Sequence, residues 1–314
     1  MALSIAEANA VSRYYYDTPL TQMAYDEHAL WTKMKQNNLV KVKGGTKLRW
    51  PIRFKRLDKA DAIGAREQLS YEQLETRTSP ELDWVYYYAN ALISWDERVK
   101  NSGKQKVVDL LADKAREMKE DMFYRFATDL WTSNPNGKGI ETIATIVATG
   151  TYAGLDDADA TTWYSPFIDA TATVLSLYGS TSISKLINSC SFGKNRPNFH
   201  ITTRDLYSKY MSLFEGQKVY KDDALAAAGF DNCKFLDATI TPDSFTPTSA
   251  WYGLDIDQYE FWVHPDFNFK LNDWFELEQA GFPNAMARVM TVALNLACKM
   301  RKTSGKFTAL NYAS

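Results

Sequence analysis

From Ser102 to Asn134 the apolar residues Val107, Leu111, Ala115, Met118, Met122, Phe126 and Leu130 recur at steps of three and four. That spacing predicts a single amphipathic α-helix with one apolar stripe. Asp109, Asp113, Lys114, Arg116, Glu117, Lys119, Glu120 and Asp121 fill the opposite side with mixed charge, close enough for i,i+3 and i,i+4 pairs. Ser102 with Gln105 has the form of a capping box, and Asn134-Pro135-Asn136-Gly137 stops the helix. At about 1.5 Å per residue the element reaches roughly 45 Å, more than one compact domain of this size needs, so it is expected to act as a spine.

The segments before it do not close on themselves. Ala2 to Val11 is weakly helical and Leu20 to Lys35 more clearly so, with Tyr14, Tyr15 and Tyr16 between them. So many aromatics without long periodicity predict an arm that lies across other surface. Lys41 to Thr46 contains Gly44-Gly45 and is expected to turn. Leu48, Trp50, Ile52 and Phe54 then alternate with Lys47, Arg49, Pro51, Arg53 and Lys55, which predicts a strand with one apolar and one basic face. Pro51 argues for an edge position. The basic row has two readings, a solvated edge that discourages aggregation or a dock for an acidic partner surface. Leu57 to Gly64 is turn-like, and Glu67 to Thr78 is expected to return as a strand. Residues 41–79 thus form a two-stranded excursion with too little apolar surface for its own core. Glu81 to Arg98, rich in aromatic and β-branched residues, is expected to be a strand buried on both faces.

Beyond the spine, Ile140 to Val147 is a short apolar segment, Gly150 to Asp156 a loop, and Ser165-Pro166 the start of a second helix through Tyr178. Strands are expected at Asn198–Thr202, Lys234–Ile240, Ala250–Leu254 and Tyr259–Val263. A helix is expected at Thr203–Phe214 and a loop at Thr241–Thr248, so the middle block has a mixed βα rhythm. Val292 to Met300 alternates again and is expected to be a strand rather than a helix, followed by a Ser304-Gly305 turn.

Familiar chemistry is missing. His28, His200 and His264 fall in separate segments without partners at metal-ligand spacing. There is no nucleophile elbow, P-loop or dinucleotide fingerprint. Asp156, Asp157 and Asp159 lack a calcium-loop pattern and read as turn acids. Neither cofactor nor metal is expected. Cys190, Cys233 and Cys298 are odd in number and far apart, as buried thiols in a reducing compartment would be. The 36 basic and 38 acidic residues leave a charge of −2, which gives no reason to bind nucleic acid tightly. No export signal and no membrane span are expected.

In order, these segments resemble the major capsid proteins of tailed bacteriophages with the Hong Kong 97-type fold. The likeness rests on Gly44-Gly45-x-x-Leu48-x-Trp50-Pro51-Ile52 opening an extended loop, and on an aromatic strand leading into the long helix. Thr151-Tyr152-Ala153-Gly154-Leu155-Asp156 followed by Trp163, and Leu294-Asn295-Leu296-Ala297-Cys298-Lys299-Met300-Arg301-Lys302-x-Ser304-Gly305, complete it. Asp157 stands where the family pattern has Arg. The resemblance implies an α+β fold with an N-terminal arm (1–38) and an extended β-hairpin loop (39–80). It further implies a peripheral domain (81–160) carrying the spine helix 102–134, an axial α/β domain (161–265) and a return to the peripheral domain (266–314).

The function so implied is a non-enzymatic coat protein, assembled in a host cytoplasm through homo-pentamers and hexamers into an icosahedral virion capsid. Its partners would be its own copies, scaffold, portal and decoration proteins, and packaged double-stranded DNA as a weak neighbour, with no membrane. The candidate contacts between subunits are Lys47, Leu48, Arg49, Trp50, Ile52, Arg53, Phe54, Lys55 and Arg56, with Tyr14, Tyr15 and Tyr16. Here the cations would meet a neighbour's carboxylates and the apolar face its apolar surface. An encapsulin-type nanocompartment, a tail or portal component, and a soluble enzyme are the competing readings.

Overall fold

The long helix forms over Lys104–Trp131 in the computed structural model, 28 residues or about 42 Å. Ala115, Met118, Met122, Phe126 and Leu130 of its apolar stripe are buried. The structure describes residues 29–57, 60–64, 74–100, 104–158, 160, 162–179, 181–213, 232–277 and 285–311, with side chains of the long helix described from Lys114 onward. The expected Ala2–Val11 helix, Tyr14 to Tyr16 and most of the returning 67–78 strand lie outside these residues.

In chain order the elements begin with α1 (Ala29–Gln36), β1 (Val40–Val42), β2 (Leu48–Arg49), β3 (Ile52–Arg53), β4 (Arg77–Thr78), β5 (Glu81–Leu82) and β6 (Val85–Ser94). Helices α2 (Trp95–Lys100), α3 (Lys104–Trp131) and α4 (Ile143–Ile146) follow, then β7 (Phe167–Asp169), α5 (Ile183–Ser189), β8 (Phe199–Thr202) and α6 (Arg204–Ser212). The chain continues with β9 (Cys233–Phe235), β10 (Ala238–Pro242), β11 (Trp251–Leu254), β12 (Tyr259–Val263), β13 (Lys270–Leu271), β14 (Phe275–Glu276), β15 (Ala285–Cys298) and β16 (Gly305–Phe307).

Two sheets organise them. In the first, β15 pairs antiparallel with β6 along one edge and with β12, β13 and β14 along the other, while β1 runs parallel to β12. The expected turn at 41–46 is therefore a strand at its start. The spine helix packs on the face of β6 that carries Tyr87, Ala89, Ala91 and Ile93. Trp31 fills the space between helix and sheet, its ring 5.0 Å from Phe126 and 4.0 Å from Phe261. The stretch expected to be an arm up to residue 38 thus contributes α1 to the chain's own core. The second sheet, ordered β7-β16-β11-β8-β10-β9, is mixed. Period two separates its faces: Phe199, Ile201, Tyr252 and Leu254 join the core shared with the first sheet, whereas Ile240, Trp251 and Phe307 join a second core with α5 and α6.

Several expectations need correcting. Ser165 to Tyr178 is not a helix: it holds β7 and an extended run bridged to Asn311, because Thr171, Thr173 and Val174 favour extended backbone. The nearby helix is α5, capped by Ser182. Lys234 to Ile240 is a hairpin rather than one strand, since Leu236 and Asp237 both take positive φ and reverse the chain. Strand β6 is buried on one face only.

The two segments that carry the late part of the resemblance meet at Arg301, which is 1% exposed. Tyr152 and Leu155 pair across a tight turn with Ala153 and Gly154 in the left-handed region. The Tyr152 hydroxyl donates to the Leu296 carbonyl and accepts from the Cys298 amide. Trp163 donates to the Tyr152 carbonyl. Arg301 then spans the whole loop, donating to the carbonyls of Thr145, Ile146, Ala148, Gly150 and Trp163. Asp156 and Asp157 are turn acids, accepting from Thr151 and Ala158 and from Gly150 respectively.

His200 makes one interior of the second sheet pH-sensitive. Its Nδ1 accepts from Trp251 Nε1 at 3.0 Å, and a Cβ on Gly253 would come within 2.9 Å of its ring, so only glycine fits there. Complete burial lowers its pKa from 6.5 to about 3. The folded state therefore disfavours the protonated imidazole. Its stabilising contribution is full above pH 6.5 and declines as pH falls toward 3, by about 1.4 kcal/mol per pH unit. Asp255 acts in the opposite sense: burial raises its carboxyl from 3.8 to about 6, so it favours the fold at low pH and that gain is lost as pH rises through 6. The stability difference between the chain and His200→Gln, measured by urea unfolding from pH 7 to 4, isolates the histidine. It is expected to move steadily in favour of the variant as pH falls; a difference constant with pH would remove the assignment.

Candidate intersubunit surface

The basic strand is divided. Trp50-Pro51 separates β2 from β3, which pair with β5 and β4 respectively. Leu48 and Trp50 are buried in the chain's own core, with the Trp50 ring 5.4 Å from that of Trp262, and Ile52 and Phe54 pack partly against the same core. Within one chain this apolar face therefore already meets the core, with Trp262 of β12 against Trp50. Two of the cations are likewise satisfied at home. Arg49 meets Glu81 at 2.7 Å, and Lys47 lies 3.5 Å from Glu81 and 3.6 Å from Asp83. Arg53, Lys55 and Arg56 are exposed, as is Arg77 across the ladder, and none of them forms an ion pair among the described residues. Leu57 and Ile63, 50% and 60% exposed, follow on the same excursion.

A second exposed surface lies on the first sheet. Alternation along β6 turns Tyr86, Tyr88, Asn90 and Leu92 to the face opposite the spine helix, with Trp95 next in line. Tyr88 is 74% exposed and Tyr86 67%. Aromatic side chains this exposed in a row lose apolar stabilisation that a partner surface restores. These residues were not singled out as contacts from the sequence, although the period-two signal at 85–94 marks them.

By contrast, nothing described has the form of a reaction centre. Among the described residues no group of His, Cys, Asp and Glu is placed to hold a metal ion, and no helix is long and apolar enough to cross a membrane. The three cysteines are buried free thiols; burial pushes Cys190 and Cys298 up to about 12 and Cys233 to about 11, which makes them poor nucleophiles. An apolar void of about 10 Å³ between the spine helix and the sheet, lined by Trp31, Phe126 and Val292 among others, is a packing defect too small for a substrate.

No family model and no curated protein matches the sequence. Solved structures match its fold almost end to end. A chain of the cyanophage A-1(L) capsid asymmetric unit aligns over 92% of each chain with a TM-score of 0.63 at 15% identity. A chain from Mycobacterium phage Adephagia aligns over the full length of both with a TM-score of 0.58 at 13% identity. A chain from the capsid of the native GTA particle covers 89% of this chain and 90% of its own with a TM-score of 0.59 at 10% identity. The fold is thus α+β and of the Hong Kong 97 capsid type, held in common at identities where sequence comparison finds nothing.

Proposed function

We propose that this chain is a major capsid protein, which self-assembles through pentamers and hexamers into the icosahedral shell around the double-stranded DNA of a tailed phage. The observation that carries this reading is the end-to-end match to the chain of the cyanophage capsid asymmetric unit. Two features of the chain itself support it: the aromatic row of β6 is largely exposed, and Arg53, Lys55, Arg56 and Arg77 of the excursion form no ion pair among the described residues. Repeated heterologous contacts of modest size close into shells when the rotation between copies closes. In this reading the first sheet with the spine helix forms the peripheral unit and the second sheet the axial unit. The axial unit would then give up β12 (Tyr259–Val263) to the first sheet and take in β16 (Gly305–Phe307) from the last section of the chain. The role is structural and uses no cofactor; DNA is contained rather than gripped, in keeping with a charge of −2.

Electron microscopy of the purified chain tests the reading. Closed shells, or rings of five and six copies, are expected. Tubes would point to a tail component, and a small monodisperse species at every concentration would overturn the proposal.

A further inference from the structure

Beyond the end of the spine helix, Asn136-Gly137 is the one place in the sequence where asparagine precedes glycine. Both residues and Lys138 are exposed. The Asn136 side-chain oxygen accepts from the Lys138 amide at 2.9 Å. A side chain bonded to the backbone two residues on is folded along its own chain, which brings its amide carbon beside the nitrogen of the residue between. That residue is Gly137, with φ at +68° and nothing within 4 Å of the position a Cβ would take. Its nitrogen is therefore unhindered. The Gly137 N–H donates to the Asn134 carbonyl at 2.9 Å, a surface bond that local opening breaks without unfolding the subunit. The Lys138 N–H meanwhile points at the oxygen on which negative charge grows during attack.

The same turn is tied to a buried anchor. Asn134 Oδ1 accepts from the Asn136 amide at 3.1 Å, and Asn134 Nδ2 donates to Asp129 Oδ2 at 2.7 Å. Asp129 is 1% exposed, and the Tyr87 hydroxyl of β6 donates to the same oxygen at 3.0 Å while accepting from the Ile140 amide. Arg125 meets the other carboxylate oxygen at 3.0 Å. We propose that Asn136 is a self-modification site: it cyclises with the Gly137 nitrogen, and the product loosens the joint between the spine helix and β6. The Gly137 nitrogen, its proton taken by hydroxide, bonds to the side-chain carbonyl carbon of Asn136. The bond from that carbon to the amide nitrogen breaks, and the departing group takes a proton from water, leaving as ammonia and returning the hydroxide. Water then opens the succinimide ring at either carbonyl, giving aspartate or isoaspartate with no oxidant or reductant. Isoaspartate carries the main chain through the side-chain carbons and lengthens it by one atom. The 134–137 turn then no longer closes, and Asn134 is drawn off Asp129. The inference is independent of the shell reading.

Peptide mapping by mass spectrometry of the folded full-length chain, held in warm, mildly alkaline buffer, tests the first step. The control is Asn90, exposed on β6 and followed by alanine. Amide-to-acid exchange at Asn136 is expected to outpace that at Asn90 by at least about tenfold, equivalent to about 1.4 kcal/mol of barrier. Isoaspartate is expected among the products. Gly137→Asn keeps a residue tolerant of positive φ and sets a Cβ beside the attacking nitrogen; it is expected to slow the exchange by at least about fivefold. Conversion no faster than at Asn90, aspartate without isoaspartate, or an unchanged rate in Gly137→Asn would overturn the site. Chains enriched in isoaspartate are expected to unfold at lower urea than freshly prepared Asn136→Asp, which adds the charge without lengthening the main chain. Equal urea midpoints would overturn the coupling to Asp129.

Discussion

Replacing Arg301 with Met is expected to destabilise the dispersed subunit by about 3–5 kcal/mol, as when one partner of a buried charged network is removed. The guanidinium has five N–H donors, and each reaches a different backbone carbonyl between Thr145 and Trp163, at 2.7 to 3.3 Å. Its charge is also held over two ring faces, 5.5 Å from the Tyr152 centroid and 5.9 Å from that of Trp163. Burial lowers its pKa, yet arginine stays charged in proteins, so the carbonyls stand in for a carboxylate. Methionine fills a similar length and offers no donor, leaving five acceptors dry. Lysine keeps the charge but presents donors from one point, and is expected to recover less than half of the loss. Urea midpoints of the three proteins measure this; a loss under about 1 kcal/mol for Arg301→Met would show that the loop does not depend on the residue.

Trp31→Ala is expected to cost the dispersed subunit about 3–5 kcal/mol, the usual range for deleting a large buried aromatic. Trp31 is 1% exposed and makes edge contacts with Phe126 of the spine helix and Phe261 of β12. Leu30 and Met34 of α1 are buried beside it. An arm that rested only on a neighbour would give a different result, lowering particle yield while leaving subunit unfolding unchanged. The comparison of urea unfolding with particle yield for this one variant therefore decides whether α1 is core or arm.

The sequence made the long helix legible because seven apolar residues at steps of three and four admit no other period, and the final strand because its alternation outlasts any local helix preference. Residues 165–178 misled because Pro166 is as acceptable at the entry to a strand as at a helix start, and Phe167, Ala170, Val174 and Leu177 after it fall at steps of three and four. The β6 face was hidden by size: the large aromatics Tyr86 and Tyr88 face outward while Ala89 and Ala91 face the helix. Hydrophobicity alone inverts that assignment, since only the spine helix across the sheet dictates that small residues belong inside. The setting of the basic strand was hidden for a related reason. Its alternation gave two faces, but the apolar one packs on Trp262, a residue distant in sequence that no local pattern joins to it. Arg301 carried no signal of its own; it was legible only as part of the resemblance, and its five carbonyl contacts follow from how two distant segments close.

The claim on which the account depends is that the outward face of β6 is left open by the single subunit and covered when copies assemble. Hydroxyl-radical footprinting of Tyr86, Tyr88 and Trp95, in dispersed chains and in purified particles, measures this directly. Strong labelling of the free chain and deep protection in particles is the predicted result. Equal labelling of these three side chains in both states would contradict it.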